Sequence, residues 1–176
     1  MFYDPGDFAF SAPLQDNWRR IYEEFLQIRD SLVEYVETDL YDKSWKVFHL
    51  FGFPRGEPVA ANIARCPLTS SLIHALAPSH GAGGFSVLEP GTNLRPHRGY
   101  QGNFLRCHLG LSIPDGDCAL RVEGETRRWE AGKVVVFDDR LEHQAWNRTG
   151  EDRSVLLFDF VPDPSVLSRA RAGADR

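Results

Sequence analysis

His97 and His143 stand 46 positions apart, His97 in NLRPHRG and His143 in FDDRLEHQAW, each at the edge of a run that favours extended structure. Neutral imidazole is a common ligand for transition metals such as Fe(II), and a closed β-barrel could bring both rings to one mouth. A ligating histidine needs an acceptor for its second ring nitrogen, and Asp138, Asp139 and Glu142 lie close enough in sequence to provide one. Two distant histidines without a carboxylate at metal-ligand spacing are a weak pattern on their own. His49, His74 and His80 precede the strand-rich region and read as surface or partly buried imidazoles.

Strand alternation in FLRCHLGL groups Phe104, Arg106 and His108 on one face and Leu105, Cys107 and Leu109 on the other. On an open sheet the polar pair faces water; in a small barrel it makes a cationic interior. An enclosed arginine requires an anion, which a ligand carboxylate can supply bidentately. In RSVLLFDFV the same alternation places Arg153 with Val155 and Leu157, although a lone arginine at a strand start is usually solvated.

Several elements must position these groups. From a candidate N-cap at Asp16, the residues Trp18, Ile21, Tyr22, Phe25, Ile28, Leu32 and Val36 recur at steps of three and four, which predicts one amphipathic helix over 16–38. WKVFHLF (45–51) reads as a strand, and Pro67 opens a second helix, LTSSLIHAL. After the run Gly81-Ala82-Gly83-Gly84, eight short strands are expected: 85–89, 93–97, 104–113, 118–124, 126–130, 133–138, 143–147 and 153–161. That density of strands and turns indicates an antiparallel sandwich or barrel. SRARAGADR reads as a frayed tail.

Composition narrows the function classes. The chain has 176 residues, 42% hydrophobic and 26% charged, the balance of one globular domain. Its formal charge of −5 arises in residues 1–44, with 10 acids against 4 bases, so a nucleic-acid-binding stripe is not expected. No apolar run approaches the roughly 20 residues of a membrane span, and MFYDPGDFAF has no signal-peptide pattern. Cys66, Cys107 and Cys118, without CxxC spacing, suit reduced thiols, and a cytoplasmic location is expected.

The strings FSVLEPGTNLRPHRG, NFLRCHLGLSIP, LRVEGETRRWEAGKVVVFDDRLEHQAWN and Arg153 with VLLFDFVPDP, in this order, resemble the aspartyl/asparaginyl β-hydroxylases, a family of Fe(II)- and 2-oxoglutarate-dependent oxygenases. WKVFHLF and CPLTSSLI extend the resemblance weakly, and residues 1–44 carry none. It implies a mainly β double-stranded β-helix, a cupin-like jelly roll, with N-terminal helices packed on it. The implied organisation is a single oxygenase domain over 1–165, helical in 14–80 with a β-helix core in 83–162, and a tail at 166–176.

Carried over by position, the resemblance makes His97 and His143 the iron ligands, and Arg153 with Ser86 the pair that holds the distal carboxylate of 2-oxoglutarate. Arg106 and His108 fall near its other carboxylate and the substrate, and Trp45 where the family has a tryptophan touching the co-substrate. Dioxygen is the other co-substrate, and succinate and CO2 leave with the hydroxylated product.

Two positions depart from common patterns. Most such oxygenases hold a carboxylate ligand two residues after the first histidine, but here that residue is Gly99. Water completing the coordination implies a hydroxylase, as in the animal aspartyl hydroxylases; a halide there would make a halogenase. Phe104 and Gly84 stand where those hydroxylases carry further basic residues for the substrate carboxylate, which weakens an expectation of aspartyl specificity. The reading is C–H hydroxylation of a small amino-acid-like or peptidyl substrate, with a halogenase or a non-catalytic cupin-like binding module as alternatives.

Overall fold

The computed structural model describes residues 1–165; the tail expected at 166–176 lies outside the described residues. In chain order the elements are β1 (Phe2–Tyr3), α1 (Ser11–Asp16), α2 (Trp18–Ile28), β2 (Val33–Glu34), β3 (Trp45–Gly52), β4 (Glu57–Pro58), α3 (Ala60–Ile63) and α4 (Pro67–Leu76). The strands that follow are β5 (His80–Leu88), β6 (Thr92–His97), β7 (Leu105–Ser112), β8 (Cys118–Val122), β9 (Glu125–Arg127), β10 (Val134–Phe137), β11 (His143–Asn147) and β12 (Arg153–Phe160). They form two antiparallel sheets: a larger one in the order β1-β10-β7-β12-β5-β3-β2, with β4 beside β3, and a smaller one in the order β6-β11-β8-β9. This is the expected double-stranded β-helix with helices on one face.

Period-2 alternation divides the larger sheet between two cores. Phe85, Val87, Leu105, Cys107, Leu109 and Leu156 point outward and bury against Leu14, Ile21, Phe25, Ile28 and Ile73 of the helices. Leu88, Phe137 and Val155 point inward and meet Leu94, Leu120, Val122 and Ala145 of the smaller sheet. The inward positions also carry the polar residues considered below, so the helical layer supports the sheet without reaching the site.

α2 and α4 are joined by Glu24. Its carboxylate accepts from the Leu68 and Thr69 backbone N–H groups, each at 2.8 Å, and from the Thr69 hydroxyl at 2.6 Å. An acid from a neighbouring helix thus satisfies orphan donors at the start of α4, where Cys66 offers no side-chain cap.

The single helix expected over 16–38 is corrected in two ways. It is broken at Asn17 into α1 and α2, and it ends near Ile28. Leu32 is extended, and Val33 and Glu34 pair with Val47 and Lys46 as an edge strand. Leu32 and Val36 continue the helical period, but Val36 is 85% exposed and has no helical face to bury. The Gly81-Ala82-Gly83-Gly84 run, read as a boundary, belongs to β5. Gly84 sits where β3 approaches so closely that a Cβ would collide with the Phe48 carbonyl, so this stretch is strand because its glycines let two backbones meet. TRRWE is strand only to Arg127, which leaves Trp129 free to turn inward.

Candidate active site

β6 and β11 are neighbours, and His97 and His143 face each other as direct cross-strand partners with ring centroids 4.2 Å apart. The Nδ1 of His97 lies 2.7 Å from the Arg95 carbonyl, and that of His143 lies 3.0 Å from the Leu141 carbonyl. A carbonyl only accepts, so each Nδ1 carries the proton and each Nε2 keeps a lone pair for a ligand. Burial lowers both imidazole pKa values, that of His143 to about 3, so both rings are neutral. Two neutral rings with oriented tautomers suit a divalent metal of the Fe(II) type. No group of three or more His, Cys, Asp or Glu side chains suited to a metal occurs among the described residues.

The acceptors expected from Asp138, Asp139 and Glu142 are replaced by these backbone carbonyls. Asp138 instead takes the Arg140 guanidinium at 2.7 and 2.6 Å, and Asp139 takes Arg106 at 3.1 Å. Gly99 donates its N–H to the Asp139 carbonyl at 2.7 Å, and a Cβ on Gly99 would collide with the Asp139 carboxylate. The space a side chain at residue 99 would need is therefore filled by a carboxylate from the β10–β11 connection. Burial pushes the Asp139 carboxyl up to about 6, against the opposing pull of Arg106.

An inner cavity between the sheets is lined by His97, His143, Trp45, Ser86, Arg106, His108 and Arg153, with Leu94, Leu120 and Leu157 among its apolar walls. The residues to which the resemblance gives iron, co-substrate or substrate roles thus line one cavity. Arg153 is 2% exposed, and its Nε and Nη1 have no hydrogen-bond partner. Burial lowers its pKa to about 10, which leaves it cationic at neutral pH. A buried cation with unused donors is costly, and a carboxylate from a ligand would relieve it. Beside it, Ser86 accepts a hydrogen bond from the Trp45 indole N–H at 2.9 Å, so its own hydroxyl proton is available to a ligand.

Arg106 departs from the expectation that a ligand would supply its anion. It lies opposite Asp159 across the β7–β12 pair and donates to that carboxylate at 2.7 and 3.0 Å, while also pairing with Asp139. Two internal carboxylates already answer its charge. The bidentate partner stands 53 residues away in sequence, and only the strand register brings it opposite.

Trp129 was not singled out by the sequence, yet it touches both His108 and Arg153 of the cavity. Its indole N–H donates to His108 Nδ1 at 3.1 Å, and the Arg153 guanidinium lies 4.6 Å from its ring centroid. With Nδ1 accepting and burial pushing the His108 pKa well down, His108 is the neutral tautomer with its proton on Nε2. Trp129→Phe should keep a ring beside Arg153 but release the imidazole. The expected result is altered His108 ring-nitrogen NMR shifts, from one lost hydrogen bond of about 1 kcal/mol. An unchanged tautomer would contradict this placement.

The family model for aspartyl/asparaginyl beta-hydroxylase matches residues 15–162, which carries the relationship into the N-terminal part where the sequence strings showed none. The chain is 36% identical over 170 residues to an ornithine lipid ester-linked acyl 2-hydroxylase of Rhizobium tropici, covering 90% of this chain and 59% of that protein. It is 34% identical over 164 residues to the mouse aspartyl/asparaginyl beta-hydroxylase, covering 90% of this chain and 22% of that protein. The chain thus spans less than two thirds of the length of either relative. A Pseudomonas putida prolyl-4-hydroxylase structure superposes with TM-score 0.55 at 17% identity, covering 85% of this chain and 88% of that one, a likeness of fold.

Proposed function

Because the chain belongs to the aspartyl/asparaginyl β-hydroxylase family, we propose that it is an Fe(II)- and 2-oxoglutarate-dependent oxygenase that hydroxylates an unactivated C–H bond of an amino-acid-like or peptidyl substrate. The observation that carries this reading is the buried Arg153 guanidinium with two unused donors, in the same cavity as two neutral imidazoles. That combination fits a dicarboxylate that also meets a metal. Iron and 2-oxoglutarate, when bound, supply the power to insert one oxygen atom of O2 into a C–H bond, with release of succinate and CO2.

In this reading His97 and His143 hold the metal through Nε2. Arg153 binds the distal carboxylate with Ser86 donating beside it, and Trp45 holds the serine oxygen in place. His108 offers its Nε2 proton to the co-substrate, oriented by Trp129. Arg106, tied to Asp159 and Asp139, stands as a fixed polar wall between co-substrate and substrate. The apolar walls exclude water, which protects the oxidising reaction from side paths.

Hydroxylation is favoured over halogenation because the Asp139 carboxylate already occupies the space beside Gly99 that a halide would need. The relatives' names differ in substrate, an ester-linked acyl chain in one and aspartyl or asparaginyl residues in the other. Anaerobic addition of 2-oxoglutarate to the Fe(II)-loaded protein tests the proposal. The visible charge-transfer absorption of an iron–2-oxo acid chelate is expected; its absence at saturating co-substrate would overturn the reading.

A further inference from the structure

Among the described residues lining the inner cavity, Trp45 is the only indole, phenol or sulfur side chain. Two tyrosines flank it on the side away from the cavity's histidines. The Tyr35 and Trp45 ring centroids are 4.0 Å apart, and the Tyr41 ring stands edge-on to Trp45 at 6.1 Å. Rings at these separations are in contact. Trp45 and Tyr41 are both buried, and the Tyr41 hydroxyl donates to the Glu34 carboxylate at 3.1 Å and the Tyr35 carbonyl at 2.8 Å. Glu34 lies exposed on β2, so indole, phenol and carboxylate run in sequence from the cavity to solvent.

Indole and phenol give up an electron more readily than the leucines and Phe137 on the same wall. A phenol loses its proton when it is oxidised, so it needs an acceptor in place. Tyr41 has one in Glu34, whereas the Tyr35 hydroxyl has no hydrogen-bond partner among the described residues. The Trp45 N–H faces the Ser86 hydroxyl, which is no base, so an oxidised Trp45 keeps its proton and takes an electron from its neighbour. Trp129 is less suited, since the Arg153 cation over its ring holds its electrons more tightly.

We infer that Trp45 and Tyr41 form an electron relay that discharges the oxidant when no substrate C–H bond is presented, and so protects the site from oxidising itself. The inference rests on the oxygenase reading above and adds a second reaction at the same site. It balances as 2-oxoglutarate + O2 + 2 e− + 2 H+ → succinate + CO2 + H2O. The electrons leave Tyr41 one at a time through Trp45, the phenol proton passing to Glu34 on each occasion. A one-electron reductant of the ascorbate class, arriving from solvent, restores Tyr41.

Protein loaded with Fe(II) and 2-oxoglutarate, mixed with O2 without substrate and freeze-quenched for EPR, tests it. A tyrosyl radical is expected whose signal narrows in protein carrying ring-deuterated tyrosine and disappears with ascorbate. Tyr41→Phe should lose the signal but keep the chelate absorption, and its Trp45 peptide should gain an oxygen atom by mass spectrometry. Tyr35→Phe should keep the signal. A radical that survives Tyr41→Phe, or a Trp45 peptide left unoxidised in that variant while succinate forms, would overturn the inference. Succinate without any tyrosyl radical in the parent removes the relay alone; absence of both the chelate absorption and succinate removes the oxygenase reading with it.

Discussion

Arg153→Met is expected to raise the 2-oxoglutarate requirement by at least about thirtyfold, because truncating one partner of a desolvated, hydrogen-bonded charge pair costs about 2–5 kcal/mol. The same substitution should leave the ligand-free protein as stable as the parent or more so. Arg153 is buried with Nε and Nη1 unpartnered, so an apolar chain of similar length removes an unrelieved charge. The stacking on Trp129 offsets part of that gain, as such contacts contribute up to about 2 kcal/mol. Thermal unfolding with and without 2-oxoglutarate separates the roles: the parent's Tm rises with ligand, and the variant's does not. A strongly destabilised variant whose Tm still responds to 2-oxoglutarate would make Arg153 a structural residue. Ser86→Ala, losing one neutral hydrogen bond of about 1 kcal/mol, should have a smaller effect.

The second large effect is expected at His97. Groups that merely orient a metal-binding histidine are worth about 10–100-fold in affinity or activity, so removing one of the two proposed ligands should cost at least the upper end of that range. His97→Ala should lower turnover at fixed Fe(II) by about a hundredfold or more and release iron on gel filtration. The fold should survive, since His97 is only partly buried and its Nδ1 bonds a carbonyl two residues away. Parent-like iron content and turnover would remove His97 from the metal site.

These residues were legible in the sequence for a physical reason. A sheet with a core on each side forces alternation, so once Leu105, Cys107 and Leu109 are assigned to the helical side, Arg106 and His108 must face the other sheet. The same holds for Arg153, Val155 and Leu157. His97 and His143 end up at one mouth because β6 and β11 pair directly.

Other features depend on register, which alternation does not report. The Arg106–Asp159 pair and the approach of Asp139 to Gly99 both join residues distant in sequence or set by backbone course. Trp129 lies beyond the end of β9, where the strand expected over 126–130 has already stopped, so its contact with His108 had no local signature. The helix expected to reach residue 38 failed because β2 is only two residues long and owes its pairing to β3. That departure also places Tyr35, Val36 and Glu37 on the wall of a cavity next to the site instead of on a helical surface.

Conversion of 2-oxoglutarate to succinate, followed by mass spectrometry under 18O2 with a metabolite extract supplying the substrate, tests the central claim most directly. The account predicts Fe(II)-dependent succinate, a product heavier by one labelled oxygen atom, no change on adding chloride, and loss of both products in His97→Ala. Absence of succinate from iron-loaded protein that binds 2-oxoglutarate would contradict catalysis and favour a binding module, and a chlorine isotope pattern in the product would contradict hydroxylation.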